Sequence, residues 1–98
     1  MNTLANLNKD TFFIKLEELE INKPYKILDA EKVSSKYGDQ LMVTIDYDEE
    51  IIGRVYLPKR YLKRVSEDKI KEIKRFKIVY KGTVIINDRE QHQVKFEN

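Results

Sequence analysis

The middle of the chain alternates between two faces with a period of two. One parity carries Leu41, Val43 and Ile45, and the other carries Met42, Thr44 and Asp46. Successive side chains of a β-strand point to opposite sides of a sheet, so this pattern predicts a strand with one buried face. The strand is followed by the polar run Asp48-Glu49-Glu50, and residues 51–57 then alternate again. The centre of the chain is therefore predicted to be a β-hairpin with an acidic loop.

Three further strands and one helix are predicted around this hairpin. The strands cover residues 25–33, 76–81 (with an extension over 84–86) and 92–96. In the first of them the apolar parity changes near Ile27 and Leu28, which predicts a bulge or a strong bend. Ser66 is a candidate N-cap for a short amphipathic helix that ends at Arg75 and has Ile70 and Ile73 on one face.

The element order β-β-β-α-β-β predicts an all-β domain with small α content. We expect a five-stranded Greek-key OB-like barrel with one short helix between strands 3 and 4. An SH3-like barrel also has five strands, but its helical turn is shorter and lies before the last strand. Residues 1–10 are expected to form a flexible tail and residues 11–98 a single OB-like domain. Within it, residues 11–14 are a short β-prone run, and Leu16, Leu19 and Ile21 suit a turn packed under the core.

The composition excludes most kinds of chemistry. The chain has no cysteine, which excludes disulfides, thiolate metal sites and a cysteine nucleophile. Three glycines in all leave no phosphate-binding glycine loop. The one histidine, His92, falls on the parity of the last strand's apolar residues, which favours a barrel-facing or edge position over a general base. We therefore predict no catalysis and no cofactor.

The net charge of +2 conceals two parts of opposite sign. Residues 1–58 carry seven Lys and Arg against eleven Asp and Glu, whereas residues 59–98 carry twelve against six. A local excess of cations creates a field that attracts polyanions even when the total charge is small. No apolar run approaches the roughly 18 residues that span a bilayer, so no membrane partner is expected. We expect an intracellular protein.

Four short motifs also carry a resemblance, which covers residues 16–96. The motifs are Pro24-Tyr25-Lys26-Ile27, Lys36-Tyr37-Gly38, Tyr56-Leu57-Pro58-Lys59-Arg60-Tyr61 and Tyr80-Lys81-Gly82. In these the chain resembles small OB-fold single-stranded-DNA-binding proteins of DNA viruses and mobile elements. The resemblance implies binding of single-stranded nucleic acid, DNA favoured over RNA, in the cytoplasm or nucleus, and in a host cell if the source is viral.

Binding of a single strand needs cations for the phosphates and aromatic rings on which bases stack. In OB-folds the ligand crosses the second and third strands and the loops beside them. On this chain these segments predict Tyr37 as the first stacking residue, because it lies beside a lysine and before a flexible glycine. The predicted site consists of Lys36, Tyr37, Arg54, Tyr56, Lys59, Arg60, Tyr61, Lys63 and Arg64, with Met42 and Thr44 on the same outward parity.

A second function stays open, that of a protein-interaction module. The acidic residues 46–50 would then dock on a basic surface, such as that of a nucleic-acid-processing enzyme. Exposed tyrosines at positions 37, 56 and 61 would favour nucleic acid, whereas buried tyrosines and an exposed apolar edge would favour a protein. Self-association through an edge strand or through Phe12-Phe13-Ile14 is compatible with either function.

Overall fold

Six strands form one hydrogen-bonded sheet in the computed structural model, which describes residues 10–36 and 38–98. They are β1 (Asp10–Phe13), β2 (Pro24–Ser35), β3 (Gly38–Asp46), β4 (Ile51–Tyr56), β5 (Lys77–Ile86) and β6 (Arg89–Glu97). The prediction of an all-β chain with small α content is confirmed. The predicted strand number is wrong, because the β-prone run at residues 11–14 supplies a strand of its own.

The strand order across the sheet is β1-β4-β3-β2-β5-β6. β1 lies parallel to β4, and the other neighbouring strands are antiparallel. Over the described residues the sheet is not closed, since β1 and β6 are its two edges. The β-rich class is therefore confirmed, whereas the predicted OB-like barrel stays a prediction.

β2 is bent and belongs to both halves of the sheet. Its first residues, 24–26, pair with β5, and residues 27–35 pair with β3. The register shifts between Ile27 and Asp29, where the change of apolar parity predicted a bulge. An extra residue in one strand reverses the faces of the side chains that follow and bends the strand. The two halves of β2 can thus both bury their apolar residues in one core.

The core lies on the concave side of this curved sheet. Leu41, Val43 and Ile45 are fully buried, as their alternation predicts, and Tyr25 and Tyr80 are buried with them. The other buried members of this cluster are Leu16, Leu19, Ile27, Ala30, Val55, Leu57, Tyr61, Ile70, Ile73, Ile78 and Val94. The turn before β2, which includes a 3-10 helix at Leu16–Glu18, packs Leu16 and Leu19 under the core as expected. Ile21, which is expected there too, is 59% exposed.

Two short helices connect β4 to β5. Helix α1 (Lys59–Lys63) follows Pro58, and a second 3-10 helix covers Glu67–Arg75. Side chains three residues apart are eclipsed in a 3-10 helix, which lets Ile70 and Ile73 enter the core together. Ser66 lies at the predicted N-cap position, but its side chain makes no capping hydrogen bond. None of the helices in the described residues is both long and apolar enough to cross a membrane.

Gly53 lets β1 approach β4 closely. A Cβ atom at this position would lie 2.8 Å from Cγ1 of Ile14, closer than side chains tolerate. The Ile14 amide also donates a hydrogen bond to the Arg54 carbonyl, 2.9 Å away. Gly53 therefore leaves room for the Ile14 side chain, which a larger residue would displace.

The β5–β6 hairpin ends in a turn of two residues. Asn87 and Asp88 have φ of 53° and 64°, the left-handed conformations that a two-residue type I′ hairpin turn requires. Ile85 and Ile86, just before the turn, are exposed. The hairpin thus carries two apolar side chains outside the core.

Candidate nucleic-acid interface

The predicted outward residues of β3 and β4 do face each other across the strands. Met42 lies opposite Tyr56, and Thr44 lies opposite Arg54, whereas the pair between them, Val43 and Val55, is fully buried. Arg54 and Tyr56 are exposed, while Met42 is buried in spite of its outward parity. This side of the sheet therefore presents one cation and one aromatic ring to solvent.

β1 adds a second ring to the same side. Phe13 lies opposite Arg54 in the parallel pairing and is 63% exposed. Its ring is parallel to that of Tyr56, with an interplanar angle of 1° and a centroid separation of 5.6 Å, which is an offset stack. We call Phe13, Arg54 and Tyr56 the aromatic face. The sequence reveals the β-prone run at residues 11–14, but the pairing with β4 that brings Phe13 here depends on the fold.

Two lysines lie at one end of this face. Lys36 belongs to the turn between β2 and β3, and the Lys59 ammonium reaches that turn, because a Cβ built on Gly38 would lie 3.1 Å from Nζ. Gly38 has the positive φ expected from the sequence, 108°. Tyr37, the first predicted stacking residue, lies outside the described residues.

Tyr61 and Arg60 have a different position from the one predicted. Tyr61 is only 5% exposed, and its hydroxyl accepts a hydrogen bond from the Val94 amide (2.9 Å) and lies 3.3 Å from the Val94 carbonyl. The Arg60 guanidinium donates to the His92 carbonyl and approaches the Gln91 side chain. The prediction that Tyr61 stacks on a base is contradicted by its burial, and Arg60 is occupied by backbone.

These contacts act on the open edge of β6. The backbone groups of His92 and Val94 that point away from β5 would otherwise lack partners in the sheet. The Arg60 and Tyr61 side chains of helix α1 point towards that edge and supply the hydrogen bonds that a neighbouring strand would otherwise make. Of the other predicted cations in this segment, Lys63 is exposed, and the exposed Arg64 guanidinium lies 5.3 Å from the Tyr61 ring centroid.

His92 is held between two side chains, half-buried on the edge strand β6. Its Nδ1 is 2.8 Å from the Tyr80 hydroxyl, and its Nε2 is 3.4 Å from a carboxylate oxygen of Glu17. Burial raises the pKa of the Tyr80 phenol above its ordinary value, so this hydroxyl keeps its proton at neutral pH. The contacts fix the imidazole beside the N-terminal segment, in the edge position expected from the sequence.

A groove lies between β1, the end of β4 and β6, and we call it the seam groove. Its volume is about 420 Å³, and the Phe13–Tyr56 pair forms part of its wall. The lining residues are Phe13, Ile14, Lys15, Leu16, Glu17, Gln40, Tyr56, Leu57, Pro58 and His92. The sequence did not predict this site, because its lining comes from four separate segments of the chain.

The acidic residues lie at the other end of β3 from the two lysines. The loop Asp48-Glu49-Glu50 follows β3, and the Asp48 carboxylate orders it by accepting hydrogen bonds from the amides of Glu50 (2.8 Å) and Ile51 (2.9 Å). The Tyr47 hydroxyl donates to the Glu18 carbonyl, which brings Glu18 beside the same end. The acidic loop and the two lysines thus lie at opposite ends of β3.

Comparison with known proteins gives no relative from which a function could be transferred. No protein-family model, no curated protein and no solved structure matches the chain. The function is therefore inferred from the aromatic face, the two lysines beside it and the seam groove.

Proposed function

We propose that this protein binds single-stranded nucleic acid, DNA in preference to RNA, across the aromatic face and without catalysis. The observation that carries the proposal is the exposed, parallel Phe13–Tyr56 pair beside Arg54. Large apolar rings are rarely left at the surface in contact with each other unless they meet a ligand.

The chemistry of the face matches that of an unpaired strand. Stacking of a base on an aromatic side chain contributes about 1–3 kcal/mol and requires a base that is not already stacked in a duplex. Arg54 adds a cation beside the rings, and Lys36 and Lys59 offer two more at the basic end of β3. The acidic end would repel the phosphates, so we expect the strand to run from the rings towards the lysines.

The order of the elements supports an OB-like relationship. The strands β2 to β6, with the helices between β4 and β5, follow the order of an OB-fold, which is itself a partly open barrel. In that fold the second and third strands form the binding face, and here these are β3 and β4. The resemblance to viral and mobile-element proteins favours DNA, and a protein of that kind would act in the cytoplasm or nucleus.

The proposed site differs from the predicted one at three positions. Phe13 is added, and Tyr61 and Arg60 are removed because they hold the edge of β6. The residues kept from the prediction are Lys36, Tyr37, Arg54, Tyr56, Lys59, Lys63 and Arg64.

Fluorescence anisotropy with labelled oligonucleotides tests the proposal. We expect single-stranded DNA to bind more tightly than the matching duplex. If about four phosphates are neutralised, affinity falls roughly 50-fold between 50 and 200 mM salt, since each contact to a single strand contributes about −0.7 to the slope of log K against log salt. Equal affinity for duplex and single strand, or no response to salt, would overturn the proposal.

A matched pair of variants shows whether the rings are used. Phe13→Ala should weaken binding, whereas Phe12→Ala should not, because Phe12 lies on the same strand and is also exposed (51%) but has the opposite parity. Equal loss in both would mean that β1 contributes to the fold rather than to the site.

Docking on a protein partner is the second candidate function. Exposed Ile85 and Ile86 on the β5–β6 hairpin favour it, and so does the acidic loop after β3. Exposed tyrosines are expected for a nucleic-acid binder and buried ones for a protein-binding module. Tyr56 is exposed and Tyr61 is buried, so the tyrosines do not decide between the two functions. Absence of oligonucleotide binding at low salt would favour this second function.

A further inference from the structure

The seam groove adjoins the aromatic face and shares two side chains with it. Phe13 and Tyr56 line the groove and also form the exposed stack on the face. A ligand that lies on the face therefore passes the mouth of the groove. Its volume of about 420 Å³ lies within the range of about 300–1,000 Å³ that small-molecule sites occupy.

We infer that the seam groove receives one unstacked nucleobase of the strand bound on the aromatic face, an inference that rests on the proposed function. The walls of the groove are mostly apolar, as a planar heteroaromatic ring requires. The apolar lining consists of Phe13, Ile14, Leu16, Tyr56, Leu57 and Pro58. The polar lining is limited to Lys15, Glu17, Gln40 and His92.

The charges of the lining suit a nucleotide rather than a purely apolar ligand. Lys15 is exposed and supplies a cation for the phosphate that flanks the inserted base. The Glu17 side chain is 56% exposed, and its carboxylate has acceptor positions beyond the contact with His92. A carboxylate accepts a hydrogen bond from an exocyclic amino group, which cytosine has and thymine lacks. The groove should therefore prefer cytosine to thymine.

The polar end of the groove is held in place before a ligand binds. Tyr80 and Glu17 fix the His92 ring, and the Arg60 guanidinium holds the His92 carbonyl. The Gln40 amide donates to the Leu57 carbonyl at 3.3 Å, which orients its side chain. A preorganised rim lowers the entropic cost of ordering side chains around a bound base.

Titration of the ¹⁵N-labelled full chain with mononucleotides tests the site apart from the strand. We expect dCMP to shift the amide signals of Lys15, Gln40 and His92, and dTMP to bind less tightly. 2-Deoxyribose 5-phosphate, which offers only the phosphate contact to Lys15, should leave the signals of Gln40 and His92 unchanged. The inference is overturned if the sugar phosphate shifts them as strongly as dCMP, or if dCMP shifts only the signals of Thr44 and Arg54 on the face.

Two charge-neutralising variants separate the groove from the face. Lys15→Gln should weaken dCMP binding about fivefold, the loss of one charge-assisted contact, while Arg54→Gln should leave it unchanged. Both should weaken binding of an oligonucleotide. Glu17→Gln should reduce the preference for dCMP over dTMP. An equal loss of dCMP affinity in Lys15→Gln and Arg54→Gln would contradict a base site separate from the aromatic face.

The failures of the two proposals can be distinguished. Oligonucleotide binding that depends on Phe13, together with groove signals that dCMP does not move, would overturn the base site and support the proposed function. Groove signals that respond to dCMP in a protein that binds no oligonucleotide would support the nucleobase site and overturn strand binding.

Discussion

Two pairs of the same residue types lie five to six positions apart in the chain and have opposite surroundings. Arg54 and Tyr56 on β4 are exposed beside Phe13, whereas Arg60 and Tyr61 on α1 are turned onto the edge of β6. Arginine and tyrosine are suited to nucleic-acid binding in either place. Only Arg54 and Tyr56 are exposed to a ligand. The role of an arginine–tyrosine pair therefore depends on which side of its strand or helix the two side chains occupy, and not on the composition of the segment.

The physical reason lies in the two edges of the sheet. The edge of β4 is paired with β1, so its outward side chains are not needed to satisfy backbone groups. Within residues 10–36 and 38–98 no strand pairs with the outer edge of β6, and its outward amide and carbonyl groups need partners from elsewhere. The Tyr61 hydroxyl and the Arg60 guanidinium supply them. Variants of the two pairs should therefore separate stability from binding.

The largest expected effect is that of Tyr61→Ala. Truncation of a buried aromatic residue costs about 3–5 kcal/mol, and here it also removes the hydrogen bonds to Val94. Tyr56→Ala should lower the free energy of unfolding by about 1 kcal/mol or less, because its ring is 43% exposed. Urea unfolding followed by circular dichroism measures both. Similar losses in the two variants would contradict the difference between the pairs.

Tyr61→Phe removes the hydroxyl and keeps the ring. The buried Val94 amide then loses its partner, which should lower the free energy of unfolding by about 1–3 kcal/mol. Urea unfolding provides the measurement, and Tyr47→Phe is the control, because the Tyr47 hydroxyl bonds only an exposed carbonyl at 3.3 Å. No loss for Tyr61→Phe would show that water or a rearranged helix replaces the hydroxyl at this edge.

On the exposed pair the expected effect is on binding. Tyr56→Ala should weaken binding of single-stranded DNA about tenfold, within the range of one lost base stack. Anisotropy titration at a single salt concentration detects this change, and urea unfolding of the same variant shows that the fold is kept. Unchanged affinity in a folded Tyr56→Ala protein would remove the ring from the site.

Much of the fold follows from local patterns. The alternation at residues 41–46, the parity change in β2 and the positive φ of Gly38 are all properties of a few neighbouring residues, and the structure has each of them. The strand number and the closure of the sheet depend instead on how distant edges meet. The parallel pairing of β1 with β4 joins segments about 40 residues apart, which no local pattern reveals.

The site divides in the same way. Arg54 and Tyr56 could be placed outward because they alternate with buried residues in a strand. A helix of five residues such as α1 offers too little periodicity to show which side faces the core, so Tyr61 could not be assigned from its neighbours. Phe13 and the seam groove need the tertiary pairing of β1, and only the structure brings them together with Tyr56.

The smallest expected effect concerns a single cation near the exposed pair. Lys59→Gln should reduce the slope of log K against log salt by about 0.7, the contribution of one phosphate contact, and change affinity only modestly at high salt. Lys95→Gln is the matched control, since Lys95 is an exposed cation on β6 and belongs neither to the aromatic face nor to the lining of the seam groove. Anisotropy titrations at four salt concentrations resolve such a difference. An equal change of slope in both variants would mean that the protein attracts the strand by its general charge. The lysines at the β2–β3 turn would then have no special part in placing the strand beside Phe13 and Tyr56.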